Sequence, residues 1–202
     1  MENQIKKVVT YGLPDLDELY DRENRKLYLT SEVDELIIGS IIDMIIRYNR
    51  EDKGKPREER KPIIFYINTP GGSLIDGFGL IDVMIASKTP IYTVNQASCY
   101  SMGFLIFLAG DKRYSMKNST FLCHDGSSFA FGSLSKVKDR LEFETGQMEK
   151  HVMDYIISRT AISEELYKKN YKTEWYMYPD EAKEHGILTH IVGVDCDIDE
   201  II

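Results

Sequence analysis

Ile63-Ile64-Phe65-Tyr66-Ile67, running on through Asn68 into Thr69-Pro70-Gly71-Gly72-Ser73, is the stretch on which the fold of this chain turns. Five apolar residues in succession, without polar alternation, suit a strand covered on both faces, as in parallel sheets. Pro70 and the two glycines stop that strand. From Ser73 to Ala86 the residues Leu74, Phe78, Ile81, Met84 and Ile85 recur at helical spacing. A similar unit follows: Pro90 opens a strand over 91–96, and Ser101 begins a short apolar helix, Met102 to Leu108, ended by Ala109-Gly110. Strand, glycine turn, helix, strand and helix predict an α/β architecture with parallel crossovers. Gly72 and Ser101 then share the carboxyl rim of the sheet, where ligands bind in open α/β folds.

Outward from this centre, residues 1–22 mix charge with a Gly12-Leu13-Pro14 break and predict a poorly anchored N-terminal arm, leaving 23–202 as a single domain. Arg25 to Leu29 reads as a short strand. Ser31 or Asp34 can cap a helix from Glu35 to Asn49, with Leu36, Ile37, Ile41, Ile42, Ile45 and Ile46 on its apolar stripe. Further short strands are expected at Arg113-Tyr114-Ser115 and Thr120 to Cys123. Ser133 to Thr160 reads as one long helix with Leu141, Met148, Val152, Tyr155 and Ile156 at three- and four-residue spacing. A helix of that length projects from a small domain unless something covers it, so its stripe is expected to meet a partner, another copy of the chain. In the tail Ser163 caps one helix, Pro179 opens another that Gly186 closes, and Ile187 to Val194 reads as a last strand.

Composition narrows the function. The chain has 202 residues, 43% hydrophobic, and a formal net charge of −8, which argues against nucleic-acid binding as its main task. The one basic run, 53–61, has acid, Gly or Pro at four of its nine positions and reads as a solvated loop. No apolar run approaches a membrane span, and 1–11 lacks the apolar centre of a signal peptide. Cys99, Cys123 and Cys196 have no metal-ligand spacing and cannot all pair, so reduced thiols in a cytoplasmic setting are expected, with neither metal nor cofactor.

Three segments carry groups that acyl-transfer chemistry uses. Ser101 at a helix start is either an ordinary N-cap or a nucleophile beside the unpaired first-turn amides of Met102 and Gly103. Cys99 stands where the first glycine of a Gly-x-Ser-x-Gly elbow would be, so that motif is absent. Gly71-Gly72 either makes a tight turn or aims N–H groups at an oxyanion. No lysine follows to make a phosphate loop. His124, at a strand end, is either structural or a general base, and as a base it needs an acid to orient its far nitrogen. Asp125 is its chain neighbour and points away, so a more distant carboxylate is required.

In order along the chain, Tyr66-Ile67-Asn68-Thr69-Pro70-Gly71-Gly72-Ser73, Ser101-Met102-Gly103-Phe104-Leu105, Asn118-Ser119, Leu122-Cys123-His124 and Glu181-Ala182-Lys183-Glu184-His185-Gly186-Ile187 resemble the proteolytic subunit of the Clp protease, ClpP, over roughly 20–195. The resemblance implies a crotonase-like β-α superhelix with a protruding handle helix at 133–160. It implies a homo-oligomeric tetradecamer, two stacked rings of seven enclosing a chamber, and docking to a Clp-type AAA+ ATPase, with Tyr66 at an aromatic docking position. It assigns Ser101 as nucleophile, His124 as base, and the amides of Gly72 and Met102 as the oxyanion hole of a serine endopeptidase acting on peptides and unfolded proteins. Glu174 falls where the family carries its third residue, an Asp, and is either the triad acid or a surface substitute. Thr173 replaces an Arg used between rings, and Asp125-Gly126-Ser127-Ser128-Phe129 departs from the family's substrate-aligning strand. These departures leave two alternatives: a catalytically weakened ring-forming subunit, and a crotonase-type acyl-CoA enzyme that uses Gly72 without Ser101 or His124.

Overall fold

The computed structural model describes residues 20–21, 24–126 and 132–202. Expectations for 1–19 and for Ser127-Ser128-Phe129 lie outside the described residues. A mostly parallel sheet organises the chain. Strands β1 (Tyr20–Asp21), β2 (Lys26–Leu29), β3 (Ile63–Thr69), β4 (Ile91–Tyr100), β5 (Lys112–Met116) and β8 (His190–Val192) lie side by side in the order β1-β2-β3-β4-β5-β8. β1 is antiparallel to β2, and the other neighbours on this path are parallel. β3 is buried on both faces, as its unbroken apolar run requires. Ile63, Phe65 and Ile67 face the larger core, while Ile64 and Tyr66 face a smaller cluster with Val94, Tyr114 and Ile201.

Helices α1 (Glu35–Glu51), α2 (Leu74–Ala86) and α3 (Met102–Leu108) pack on the larger core. Asp34 caps α1, its carboxylate accepting from the Leu36 and Ile37 amides. The buried face of α1 is Ile38, Ile41, Met44, Ile45 and Tyr48. The expected stripe is therefore rotated: Leu36 is 75% exposed and Ile46 is exposed, because with isoleucines all round, spacing alone does not choose a face.

Three other expectations are corrected. The loop expected to be solvated is exposed at 53–59 and at Lys61, but Arg60 is buried, its guanidinium donating to the Lys55 carbonyl and the Thr89 hydroxyl. The long helical segment is unbroken, as expected, but carries a π-helical turn (Phe143–Met148) between α4 (Leu134–Glu142) and α5 (Glu149–Arg159). Its stripe is not wholly a partner surface: Ile156 is buried, Val152 and Tyr155 pack on the core, and the Tyr155 hydroxyl donates to the Leu105 carbonyl at 3.1 Å. In the tail, α6 (Glu164–Asn170) and α7 (Pro179–Glu184) form as expected, but the last strand shrinks to β8. Ile187 and Leu188 are buried without entering it. Among the described residues no helix is long and apolar enough to cross a membrane.

Candidate active site

β4 is ten residues long and serves two partners. Tyr92 to Asn95 pair with β5, while Ser98 to Tyr100 pair with β6 (Thr120–Cys123), after a register shift against β3 between Ile67 and Thr69. Because β3, β4 and β6 run parallel, the chain leaves all three at one rim. Pro70 to Ser73 follow β3, Ser101 follows β4 and His124 follows β6. A short antiparallel strand, β7 (Trp175–Met177), lies beside β6 with Cys123 opposite Trp175. One step further along that ladder brings Glu174 level with His124. Spacing in the sequence gave no sign of β7, which is three residues long.

Ser101 has φ 53° and ψ −120°, a backbone conformation that side chains other than glycine rarely adopt. It is held from both sides: its N–H donates to the Leu122 carbonyl at 3.0 Å, and its own carbonyl accepts from the Phe104 and Leu105 amides. Left-handed backbone of this kind costs about 1–2 kcal/mol and persists only where surrounding contacts impose it. The hydroxyl makes no capping bond, so the capping alternative loses its basis.

Two glycines press against this junction. A Cβ on Gly71 (φ +102°) would meet Ser101 Cβ at 2.7 Å and the Tyr100 carbonyl at 2.8 Å. A Cβ on Gly72 (φ +145°) would meet the Val33 carbonyl at 2.4 Å. The carbonyl of Gly71 and the N–H of Ser73 are both engaged by Val33, which fixes the peptide between them. Among the described residues the N–H groups of Gly72 and Met102 donate to no backbone carbonyl. Met102 is itself locked, its side chain filling the space that a Cβ on Gly77 would need. The arrangement leaves two amides without a backbone carbonyl beside a strained serine.

His124 Nδ1 lies 3.1 Å from Glu174 Oε1. A carboxylate only accepts, so in the neutral ring Nδ1 is the nitrogen that carries the proton and Nε2 the one with the lone pair. That Nε2 is buried and has no hydrogen-bond partner. His124 is 18% exposed at its side chain and Glu174 59%. Asp125, the chain neighbour, makes no bond to the ring among the described residues. Ser101 and His124 line the same pocket of about 650 Å³, together with Gly71 and Gly72, although no hydrogen bond joins the hydroxyl to the imidazole. Cys123 also borders the pocket, but burial pushes its thiol up to about 12, so it is not a competing nucleophile.

Sequence reasoning missed two parts of this site. The strain at Ser101 has no sequence signal, since any serine before a helix looks the same. The wall made by Arg140, Glu144, Met148, Glu149, Tyr167 and Tyr171 was also missed. A π-helical turn, common at functional sites, sets the facing of the first four, and residue spacing does not reveal such a turn.

The chain is similar to known proteins along most of its length. The family described as Clp protease matches residues 16–195. An ATP-dependent Clp protease proteolytic subunit of Deinococcus radiodurans is 25% identical over 179 residues, covering 87% of this chain and 84% of that one. An ATP-dependent Clp protease proteolytic subunit 1 of Prochlorococcus marinus (strain MIT 9312) is 29% identical over 175 residues, covering 85% and 86% respectively.

Proposed function

The chain belongs to the Clp protease family, and on that premise we propose that this ClpP-like peptidase is a serine endopeptidase with the triad Ser101, His124 and Glu174. Ser101 Oγ attacks the peptide carbonyl while His124 Nε2 takes its proton. The oxyanion rests on the Gly72 and Met102 amides. The imidazolium returns its proton to the leaving amine, and water then releases the acyl-enzyme by the reverse relay. Glu174 holds the ring through Nδ1 and stabilises its charged form. The Ser101 hydroxyl has no capping bond to break before it turns toward Nε2. No metal or cofactor has a role in this scheme.

The observation that carries the reading is the left-handed backbone of Ser101, in one pocket with a buried, partnerless imidazole nitrogen. The names of the relatives support the larger scheme. Those names say ATP-dependent protease subunit; the rest of the scheme comes from the family resemblance: two stacked rings of seven, the 133–160 helix as the handle of a β-α superhelix, and an AAA+ ATPase that feeds unfolded protein to the chamber in the cytoplasm. A competing reading, a catalytically weakened ring subunit, draws on the exposure of Glu174, since water screens its hold on the ring.

A fluorophosphonate probe with adduct mapping separates the two. Labelling confined to Ser101, and lost in Ser101→Ala and His124→Ala, is expected; intact rings that never label would refute the peptidase. Glu174→Ala is expected to lower peptide turnover about 10- to 100-fold with rings intact, a smaller loss than for a buried triad acid. Unchanged turnover would remove Glu174 from the triad.

A further inference from the structure

The pocket that opens from Ser101 runs away from the rim, under the helical segment and toward α6. Its inner wall is aliphatic, formed by Leu105, Met148 and Val152. Its far end is aromatic. Tyr167 and Tyr171, 2% and 8% exposed, stack with ring centroids 5.2 Å apart, and Lys172 lies over the Tyr171 ring at 5.5 Å. Glu149, at the start of α5, borders this aromatic end. The nearby Glu149 carboxylate, with burial, raises the Tyr171 phenol above its ordinary range, and Lys172 acts in the opposite direction. The one arginine on the wall, Arg140, is tied to Glu144 at 2.6 Å, and among the described residues no ion pair engages Glu149.

We propose that this pocket receives the side chain next to the carbonyl that Ser101 attacks, and that Glu149 selects lysine or arginine there. The inference rests on the peptidase reading and adds its substrate class. The side chain on the carbonyl's own Cα is one bond from the carbon at Ser101, so it is the one that enters a pocket continuous with the nucleophile. Lysine and arginine match both parts of the lining. Their methylene stems match Leu105, Met148 and Val152, and their charged ends match the Glu149 carboxylate that lines the pocket with Tyr167 and Tyr171. A leucine fills the aliphatic part and leaves Glu149 unpaired. A glutamate meets like charge and is rejected.

The test uses the full-length protein and short fluorogenic peptides identical except for Lys, Arg, Leu or Glu before the scissile bond. Lys and Arg are expected to exceed Leu by about tenfold in kcat/KM, with Glu lowest. Glu149→Gln is expected to bring Lys and Leu to near parity, with Lys turnover falling and Leu turnover rising as the carboxylate that Leu leaves without a cation is removed. Tyr171→Phe, which removes a partner but keeps the carboxylate, should retain the preference. Independently of turnover, a peptide argininal should slow fluorophosphonate labelling of Ser101 more than the matching leucinal, and Glu149→Gln should erase that difference. Normal labelling combined with equal or faster cleavage after Leu, or a preference that survives Glu149→Gln, overturns this inference alone. Absence of labelling in the unaltered protein overturns the peptidase reading and this inference with it.

Discussion

At the amino ends of the strands, Arg25 donates to Asp52 at 3.0 Å and to the Lys61 carbonyl. The same carboxylate accepts from Lys55 and Thr89, and Asn49 accepts from the amides of Lys88 and Thr89. At the carboxyl ends, the Gly72 and Met102 amides donate to no described carbonyl and His124 Nε2 is buried without a partner. Each end also holds one residue other than glycine in left-handed backbone, Arg25 at φ 56° and Ser101 at φ 53°. Arg25 offsets that cost with a buried ion pair. The Ser101 hydroxyl makes no capping bond and offsets nothing locally. Strain offset by an ion pair at one end, and strain beside unsatisfied groups at the other, separate the part of the sheet that holds the fold from the part left available for chemistry.

The contrast can be broken at several points. Ser101→Ala should abolish probe labelling and lower peptide turnover by about three orders of magnitude or more while leaving Tm within a few degrees, checked by kinetics and calorimetry. An equal loss of Tm would mean the serine is structural. Gly72→Ala strikes chemistry and packing together, because its Cβ has no room beside the Val33 carbonyl. We expect turnover to fall about 100-fold or more and stability to fall by roughly 2–4 kcal/mol in denaturant titrations.

Asp52→Asn tests the saturated end. Removing that charge leaves the Arg25 guanidinium facing a neutral amide, and a loss of roughly 2–3 kcal/mol is expected with Ser101 labelling unchanged. Hydrogen bonding to Arg25 holds the Asp52 carboxyl well below the usual carboxylate range. Its folded value lies under its unfolded one, so its stabilisation is complete above the ordinary aspartate value of about 3.9 and is lost as pH falls toward the folded value. The Asn variant should show a shallower acid-stability slope. A slope identical to that of the unaltered protein would show that Asp52 is not the group responsible. The smallest effect sharpens the comparison: Ser101→Gly removes both the strain and the nucleophile, and should raise stability by about 1 kcal/mol while labelling disappears. A fall in stability would mean that the φ of Ser101 is not a source of strain.

Much of the scaffold was legible in the residues themselves. The unbroken Ile63–Ile67 run and the Pro-Gly-Gly stop located β3 and the start of α2, and the apolar 102–108 segment matched α3 residue for residue. Patterns failed where they were degenerate. Isoleucines around α1 did not choose its buried face, and the burial of Arg60 within an otherwise exposed charged run left no sign because its partners, Asn49 and Thr89, lie elsewhere in the chain. The handle-like helix read as uniform because a π turn uses the same residue types as an α turn.

For the candidate site, residue types and strand ends determined that Ser101 and Gly72 share a rim, since burial periodicity is written locally and parallel strands deliver their ends to one side, while the pairing of β6 with β4 added His124. Resemblance added Glu174. The tertiary structure alone decided that Ser101 is forced into left-handed backbone, that Gly71 must lack a side chain for Ser101 to sit there, and that three residues of β7 bring Glu174 level with His124. Each of these depends on contacts between segments 30 to 50 residues apart. Such contacts are set by strand register and close packing, which leave no periodic trace in the sequence.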